Sequence, residues 1–207
     1  MRHIGLFGGT FNPVHCGHLL AAESVRTQLE LDELRFLPAA QSPFKSRPTI
    51  SDNHRIAMLE LAIAGNPKLT IDTRELQRAG PSYTIDTLIE FAHECPGDRL
   101  YLLLGVDAWK DFEQWRQWPS IVDLCHLVVL SRPSYSIPAL SKYWQKKLLD
   151  DVQTLKDSRA GKLIFITVPA SKAASNEIRK RLKNKQNIND NLPETVRAYI
   201  EEHQLYR

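Results

Sequence analysis

Two histidines three residues apart, His15 and His18, follow a double glycine in IGLFGGTFNPVHCGHLL, residues 4–20. Three chemistries compete for this stretch. His15, Cys16 and His18 could ligate a metal, the glycines could cradle a phosphate, or the segment could be a tight loop with incidental polar residues. A zinc site would need a second ligand cluster at zinc spacing, and the other cysteines, Cys95 and Cys125, form no CxxC pair. Glycines after a strand let the backbone come close to a ligand, and the N-terminus of the next helix adds partial positive charge, which suits phosphate. Neither GxxxxGK[ST] nor GxGxxG is present, so the two standard phosphate loops do not account for it. If a helix starts near Cys16, both imidazoles lie around its first turn. There they could donate hydrogen bonds to phosphate oxygens and stabilise charge developing in phosphoryl or nucleotidyl transfer. A helix N-terminus lowers an imidazole pKa and a bound polyphosphate raises it, so either charge state could serve.

The elements that would position these residues are visible as apolar runs: HIGLF (3–7), LRFLPA (34–39), LTIDT (69–73), LYLLLG (100–105), HLVVLS (126–131) and KLIFITV (162–168). Most are apolar on both faces, the pattern of strands buried between helix layers. Helical spacing fills the intervals at 19–29, 55–64, 84–92 and, in a more polar form, 143–156; further helices are expected at 176–182 and from Pro193 to near His203, with Pro193 in the first turn. Alternation of strand and helix predicts an α/β fold, a Rossmann-like, mainly parallel sheet flanked by helices with a small helical C-terminal part. In such sheets ligands sit beyond the carboxyl ends of the strands. That rim collects the loops at 8–17, 38–47, 105–118, 131–133 and 169–179.

Composition bounds the rest. A chain of 207 residues, 43% hydrophobic, without repeats or a linker, is expected to form one domain spanning 1–207. The net charge of +3, from 27 basic and 24 acidic residues, does not require nucleic acid and mildly favours anionic small molecules. Basic residues at 179–185 carry no interleaved aromatics, which argues against an RNA-binding strip. Three scattered cysteines fit a reducing cytoplasm, and no apolar run nears the roughly 20 residues that span a bilayer.

Taken with its downstream partners, the opening motif resembles a known family. GGTFNPVHCGH after a first strand is similar to the signature of the nucleotidyltransferase superfamily marked by a His-x-Gly-His element. RELQRAGPSYTIDTL (74–88), GVDAW and QWRQW (105–118), HLVVLSRP (126–133), NEIRKRL (176–182) and YIEEHQLYR (199–207) resemble, in order and spacing, the bacterial nicotinate-nucleotide adenylyltransferases. The resemblance covers nearly the whole chain, with 134–160 its least informative part.

The resemblance implies an enzyme that joins ATP to nicotinate mononucleotide, releasing pyrophosphate, with Mg2+ carried mainly by the ATP phosphates. Direct in-line attack on the α-phosphorus needs no enzyme nucleophile; position and charge neutralisation carry such chemistry. It also implies roles. Gly8, Gly9 and Thr10 would lie against the phosphates, His15 and His18 would contact the triphosphate with His18 the transition-state stabiliser, and Arg179 would reach the ATP phosphates. Lys45, Gly105, Asp107, Arg132, Ser175 and Asn176 would complete the ATP site, Asp107 on a ribose. Amides at Tyr83 and Thr84, opening a helix, would hold the nicotinate carboxylate with that of Arg116, and Trp115 would stack on the pyridine ring. On physical grounds a helix N-terminus suits a carboxylate, whereas a tryptophan beside an apolar run is also an ordinary core residue.

The chain departs from the family pattern in two places. SPFK at 42–45 stands where many members have Pro-Pro-His-Lys or Pro-Pro-His-Arg, so the histidine's role does not transfer to Phe44. Ala174-Ser175-Asn176 replaces the usual Ser-Ser-Thr or Ser-Ala-Thr, leaving Asn176 to cap the helix or donate to phosphate. The neighbouring reaction on nicotinamide mononucleotide stays open, since only the analogy to the loop amides favours the acid.

Overall fold

The computed structural model describes all residues except 42, 44–47, 134 and 189. Six strands, β1 (His3–Gly9), β2 (Glu33–Pro38), β3 (Leu69–Ile71), β4 (Arg99–Gly105), β5 (His126–Ser131) and β6 (Leu163–Thr167), form one sheet. Its order is β3-β2-β1-β4-β5-β6, and every adjacent pair is parallel. Each apolar run read from the sequence is a strand. The order reverses between β1 and β4, so connections from these two neighbours leave in opposite directions and open a crevice beyond Gly9 and Gly105.

Helices cover both faces, as the two-sided apolar strands require. One core layer joins Phe7, Leu34, Phe36, Leu103, Val128 and Ile166 to residues of α1 (Cys16–Gln28), α2 (Asp52–Ile63), α8 (Ser175–Lys183) and α9 (Glu194–Glu202). The other joins Ile4, Leu6, Leu102, Leu104, Leu127 and Val129 to α4 (Thr84–Glu94), α5 (Val106–Lys110), α6 (Trp118–Leu124) and α7 (Lys142–Gln145). A short α3 (Arg74–Gln77) and two 3-10 turns, Phe112–Gln114 and Val152–Asp157, complete the described elements. Gly5 on the central strand is obligatory for packing: a Cβ there would lie 2.7 Å from the Leu31 side chain.

Two expectations change. The stretch at 143–156 is a one-turn helix and a 3-10 turn, separated by a bridge from Leu148 to Leu163; the sheet edge takes that segment's backbone before a long helix can form. Pro193 is the residue before α9 rather than in its first turn, with φ −55° and ψ 145°.

Candidate active site

The turn after β1 is held from beneath by side chains of three later elements. Arg55 of α2 donates from Nη1 to the Thr10 carbonyl at 2.7 Å. Arg179 of α8 donates from Nη1 to the Asn12 carbonyl at 2.6 Å, and Ser175 Oγ to the Pro13 carbonyl at 3.0 Å. Tyr206 donates its hydroxyl to Asn12 Oδ1 at 2.6 Å. Asn12 and Pro13 are joined by a cis peptide bond, and Phe11 has φ 47°. In a trans peptide the oxygen and the following N-H point opposite ways. Capture of the Thr10 and Pro13 carbonyls therefore directs the Phe11 and Val14 amides away from Arg55 and Ser175. Gly8 is exposed and a Cβ on it would meet nothing within 4 Å, so the backbone is open to close approach there.

His15 is the residue before α1, in extended conformation (φ −146°, ψ 168°), and Cys16 opens the helix with its amide on the Asn191 carbonyl at 3.0 Å. The rings of His15 and His18 stack with centroids 3.6 Å apart. The His15 amide donates to His18 Nδ1 at 3.2 Å. For that bond Nδ1 must accept, which places the N-H of a neutral ring at Nε2. Edge contacts from Phe11 (5.1 Å) and Phe7 (6.0 Å) fix the ring's orientation. His15 is 7% exposed and burial lowers its pKa to about 4, which makes it neutral at pH 7. Its Nδ1 is buried without a hydrogen-bond partner among the described residues. Gly17 explains how the ring fits, because a Cβ there would lie 3.1 Å from His15 Nδ1 and 3.0 Å from Ser171 Oγ. Burial raises the Cys16 thiol's pKa, so it is poorly suited to act as a thiolate ligand or nucleophile. Among the described residues no group of three His, Cys, Asp or Glu is placed to hold a metal.

A second group gathers across the crevice. Tyr83 precedes α4, whose first turn begins at Thr84. The Asp86 and Thr87 amides turn back to the Tyr83 carbonyl, while the first-turn amides of a helix have no partner within it. The Arg116 guanidinium lies 4.8 Å from the Tyr83 ring centre and 3.9 Å from Asp86. Trp115 is half-buried, 5.4 Å from Phe112, and Gln117, at φ 53°, turns the chain from Trp115 and Arg116 into α6. Trp109, by contrast, is core, packed on Phe112 and Trp144. Backbone links tie this side to the first: Ala39 N-H bonds to the Gly9 carbonyl (2.9 Å), Ala40 N-H to Ser82 Oγ (3.0 Å), and Ser82 N-H to the Gln41 carbonyl (2.9 Å).

The remaining expected residues lie on the same rim. Gly105 is the residue before α5 and Asp107 sits in that helix's first turn, its carboxylate 3.3 Å from Lys110. Arg132 is exposed just after β5. Asn176 does not cap α8, which starts at Ser175; its Oδ1 accepts from Arg179 Nη2 instead. Lys45 and Phe44 lie outside the described residues. Arg55, Asp52 and Tyr206 were not among the sequence candidates. Arg55 had one readable signal: it shares an i, i+3, i+4 stripe with Met58 and Leu59, all three 0% exposed.

Comparison with known proteins follows the same outline. Residues 6–181 match the family model described as cytidylyltransferase-like. The chain is 40% identical over 210 residues to a probable nicotinate-nucleotide adenylyltransferase of Pseudomonas syringae pv. tomato, covering 100% of this chain and 94% of that protein. It is 37% identical over 206 residues to a protein of the same description from Acidithiobacillus ferrooxidans, covering 98% and 94%. The solved structure of Plasmodium falciparum nicotinic acid mononucleotide adenylyltransferase complexed with NaAD shares the fold, with a TM-score of 0.75 at 20% identity over 100% of this chain and 98% of the other.

Proposed function

The chain belongs to the cytidylyltransferase-like family, and from that premise we propose that it transfers the adenylyl group of ATP to nicotinate mononucleotide. The products are nicotinate adenine dinucleotide and pyrophosphate, a step of NAD biosynthesis. Full-length relatives at about 40% identity carry that activity in their names, and the observation within this chain that carries the reading is the stacked His15 and His18 pair above an amide-lined turn.

The turn at 8–14 and the start of α1 would receive the triphosphate, with amides and the helix N-terminus facing its charge. His18 Nε2-H is the donor proposed to meet the oxygens whose charge grows as the mononucleotide phosphate attacks the α-phosphorus and pyrophosphate departs. A neutral imidazole in place before the reaction costs little reorganisation, and its partner His15 holds the ring face. Arg179 and Asn176 would approach the phosphates from α8, Lys45 from its own loop, Gly105 and Asp107 would border the ribose, and Arg132 would lie beside the adenine or phosphates. Mg2+ would neutralise phosphate charge when bound. The donors around the turn are N-H groups rather than carboxylates, so in this proposal the ion's ligands are phosphate oxygens and water. Tyr83, Thr84 and Arg116 supply amides for the nicotinate carboxylate, and Trp115 the stacking face. A cytoplasmic location belongs to the same reading; it is supported by the free Cys16, Cys95 and Cys125, and no described helix is long and apolar enough to cross a membrane.

Steady-state assays with ATP and either nicotinate or nicotinamide mononucleotide test reaction and specificity together. The acid should be preferred by at least about a hundredfold in kcat/KM, because an amide leaves carboxylate-binding donors imperfectly paired. Equal use of the two would remove the assignment of Tyr83, Thr84 and Arg116.

A further inference from the structure

Arg55 is a fully buried charge (0% exposed) in the apolar layer between α2 and the sheet. Its Nη2 meets Asp52 Oδ1 at 2.6 Å, its Nη1 the Thr10 carbonyl at 2.7 Å, and its Nε has no hydrogen-bond partner among the described residues. Burying a guanidinium with one donor unmatched is unfavourable, and a buried ion pair is weak evidence for a gain in stability. Stability therefore does not explain the arginine. Its contacts point elsewhere, since the carbonyl it holds belongs to the peptide joining Thr10 to Phe11. Phe11 sits at φ 47°, unfavourable for a bulky residue, and persists there only if its surroundings hold it. Tyr206 lies close by: burial pushes its phenol up while Arg179 and Arg55 pull it back, so two guanidinium groups flank the hydroxyl that holds Asn12.

We propose that Arg55 is a positioning residue for adenylyl transfer: from beneath the turn it locks the Thr10-Phe11 peptide with its oxygen inward, which aims the opposing amide at the triphosphate. Its positive charge lies behind that amide and adds to the field the phosphates meet. The inference rests on the reading that this turn binds ATP. Arg55 itself touches no substrate.

Purified Arg55→Met, Arg55→Lys and Asp52→Ala variants test it by melting temperature and by kinetics with each substrate varied. Arg55→Met should still fold, with a lowered melting temperature, because the Thr10 carbonyl and Asp52 lose their partner. Its kcat/KM for ATP should fall at least about tenfold while the KM for nicotinate mononucleotide stays within about twofold. Arg55→Lys, which keeps the charge but loses the fork that spans Asp52 and Thr10, should recover only part of the loss. A folded Arg55→Met with ATP kcat/KM within about twofold of the parent overturns the proposal, as does an equal rise in KM for both substrates, the mark of general loosening. Should Arg55→Met fail to fold, the same criteria apply to Asp52→Ala, which leaves the arginine in place and removes the carboxylate that pairs with its Nη2. If the parent protein transfers no adenylyl group, the functional reading fails separately. Calorimetric ATP affinity of parent and Arg55→Met then still decides the role of Arg55: at least about tenfold weaker binding supports it and unchanged binding overturns it.

Discussion

His18 shows how a single hydrogen bond constrains chemistry. Its Nδ1 accepts from the His15 amide, so a neutral ring offers its donor at Nε2, and the other nitrogen can donate only if that bond is given up. Replacement by alanine removes that donor, together with the acceptor for the His15 amide and the edge contacts to Phe7 and Phe11, from a ring that is only half-buried. His18→Ala should therefore melt within a few degrees of the parent, while kcat falls at least about a hundredfold, the scale of one lost transition-state donor. A variant within a few fold of the parent in single-turnover assays would remove His18 from the mechanism. Residue type and spacing singled out the histidine pair but left metal, phosphate and plain-loop readings open, and only the downstream motifs chose among them. Arg55 was not, because a charged residue near a helix start is ordinarily solvated, and only the i, i+3, i+4 stripe it shares with Met58 and Leu59 hinted otherwise. Tyr206 was illegible for another reason, since its contact with Asn12 spans 194 positions and depends on where α9 docks.

At the scale of elements, strands were readable and helix ends less so. Five of the six strands announce themselves as apolar runs because both faces of a parallel sheet are covered, while β3, three residues at the sheet edge, is the weakest signal. The start of α1 at Cys16 and of α4 at Thr84 follow from the loop chemistry just before them. The segment at 143–156 misleads because its helical spacing competes with backbone pairing at the sheet edge, where Leu148 bridges Leu163. Within α1, Gly17 is a compromise between helix and site. Alanine is favoured over glycine in a helix by roughly 1 kcal/mol, yet its Cβ would press on His15 Nδ1 at 3.1 Å and Ser171 Oγ at 3.0 Å. Gly17→Ala should shift stability by less than about 1 kcal/mol in denaturant titrations, the two effects opposing one another. Turnover should nevertheless fall by about tenfold, since a displacement of a few tenths of an ångström at His15 is passed to the ring stacked on it.

The molecule as a whole carries a pH signature at the two ends of its sheet. His15 lies at the carboxyl ends of the strands and His126, 0% exposed with Nε2 near the Ser158 carbonyl (3.1 Å), begins β5. Burial lowers the pKa of each from 6.5 to about 4. Between those values the unfolded chain holds protons on these rings that the folded chain does not, so stability is complete above pH 6.5 and declines as pH falls toward 4. Glu75, raised by burial, acts in the opposite sense at the lower end of that window, so the histidines dominate from about pH 6.5 to 5. Unfolding there should take up about two protons at these two rings, with His3, also lowered by burial, adding to them; the uptake is read as the slope of unfolding free energy against pH, and His126→Asn should reduce it by about one. An unchanged slope would mean that one of these rings is not buried in solution. The clamp on the turn after β1 has a further consequence, in time rather than space. The turn at 10–13 is among the first parts of the chain to be made, yet its geometry is closed by Arg55, Ser175, Arg179 and Tyr206. During synthesis the full set of contacts on this turn must therefore wait until residue 206 has emerged, and a nascent chain holds a sheet under construction long before it holds the finished turn.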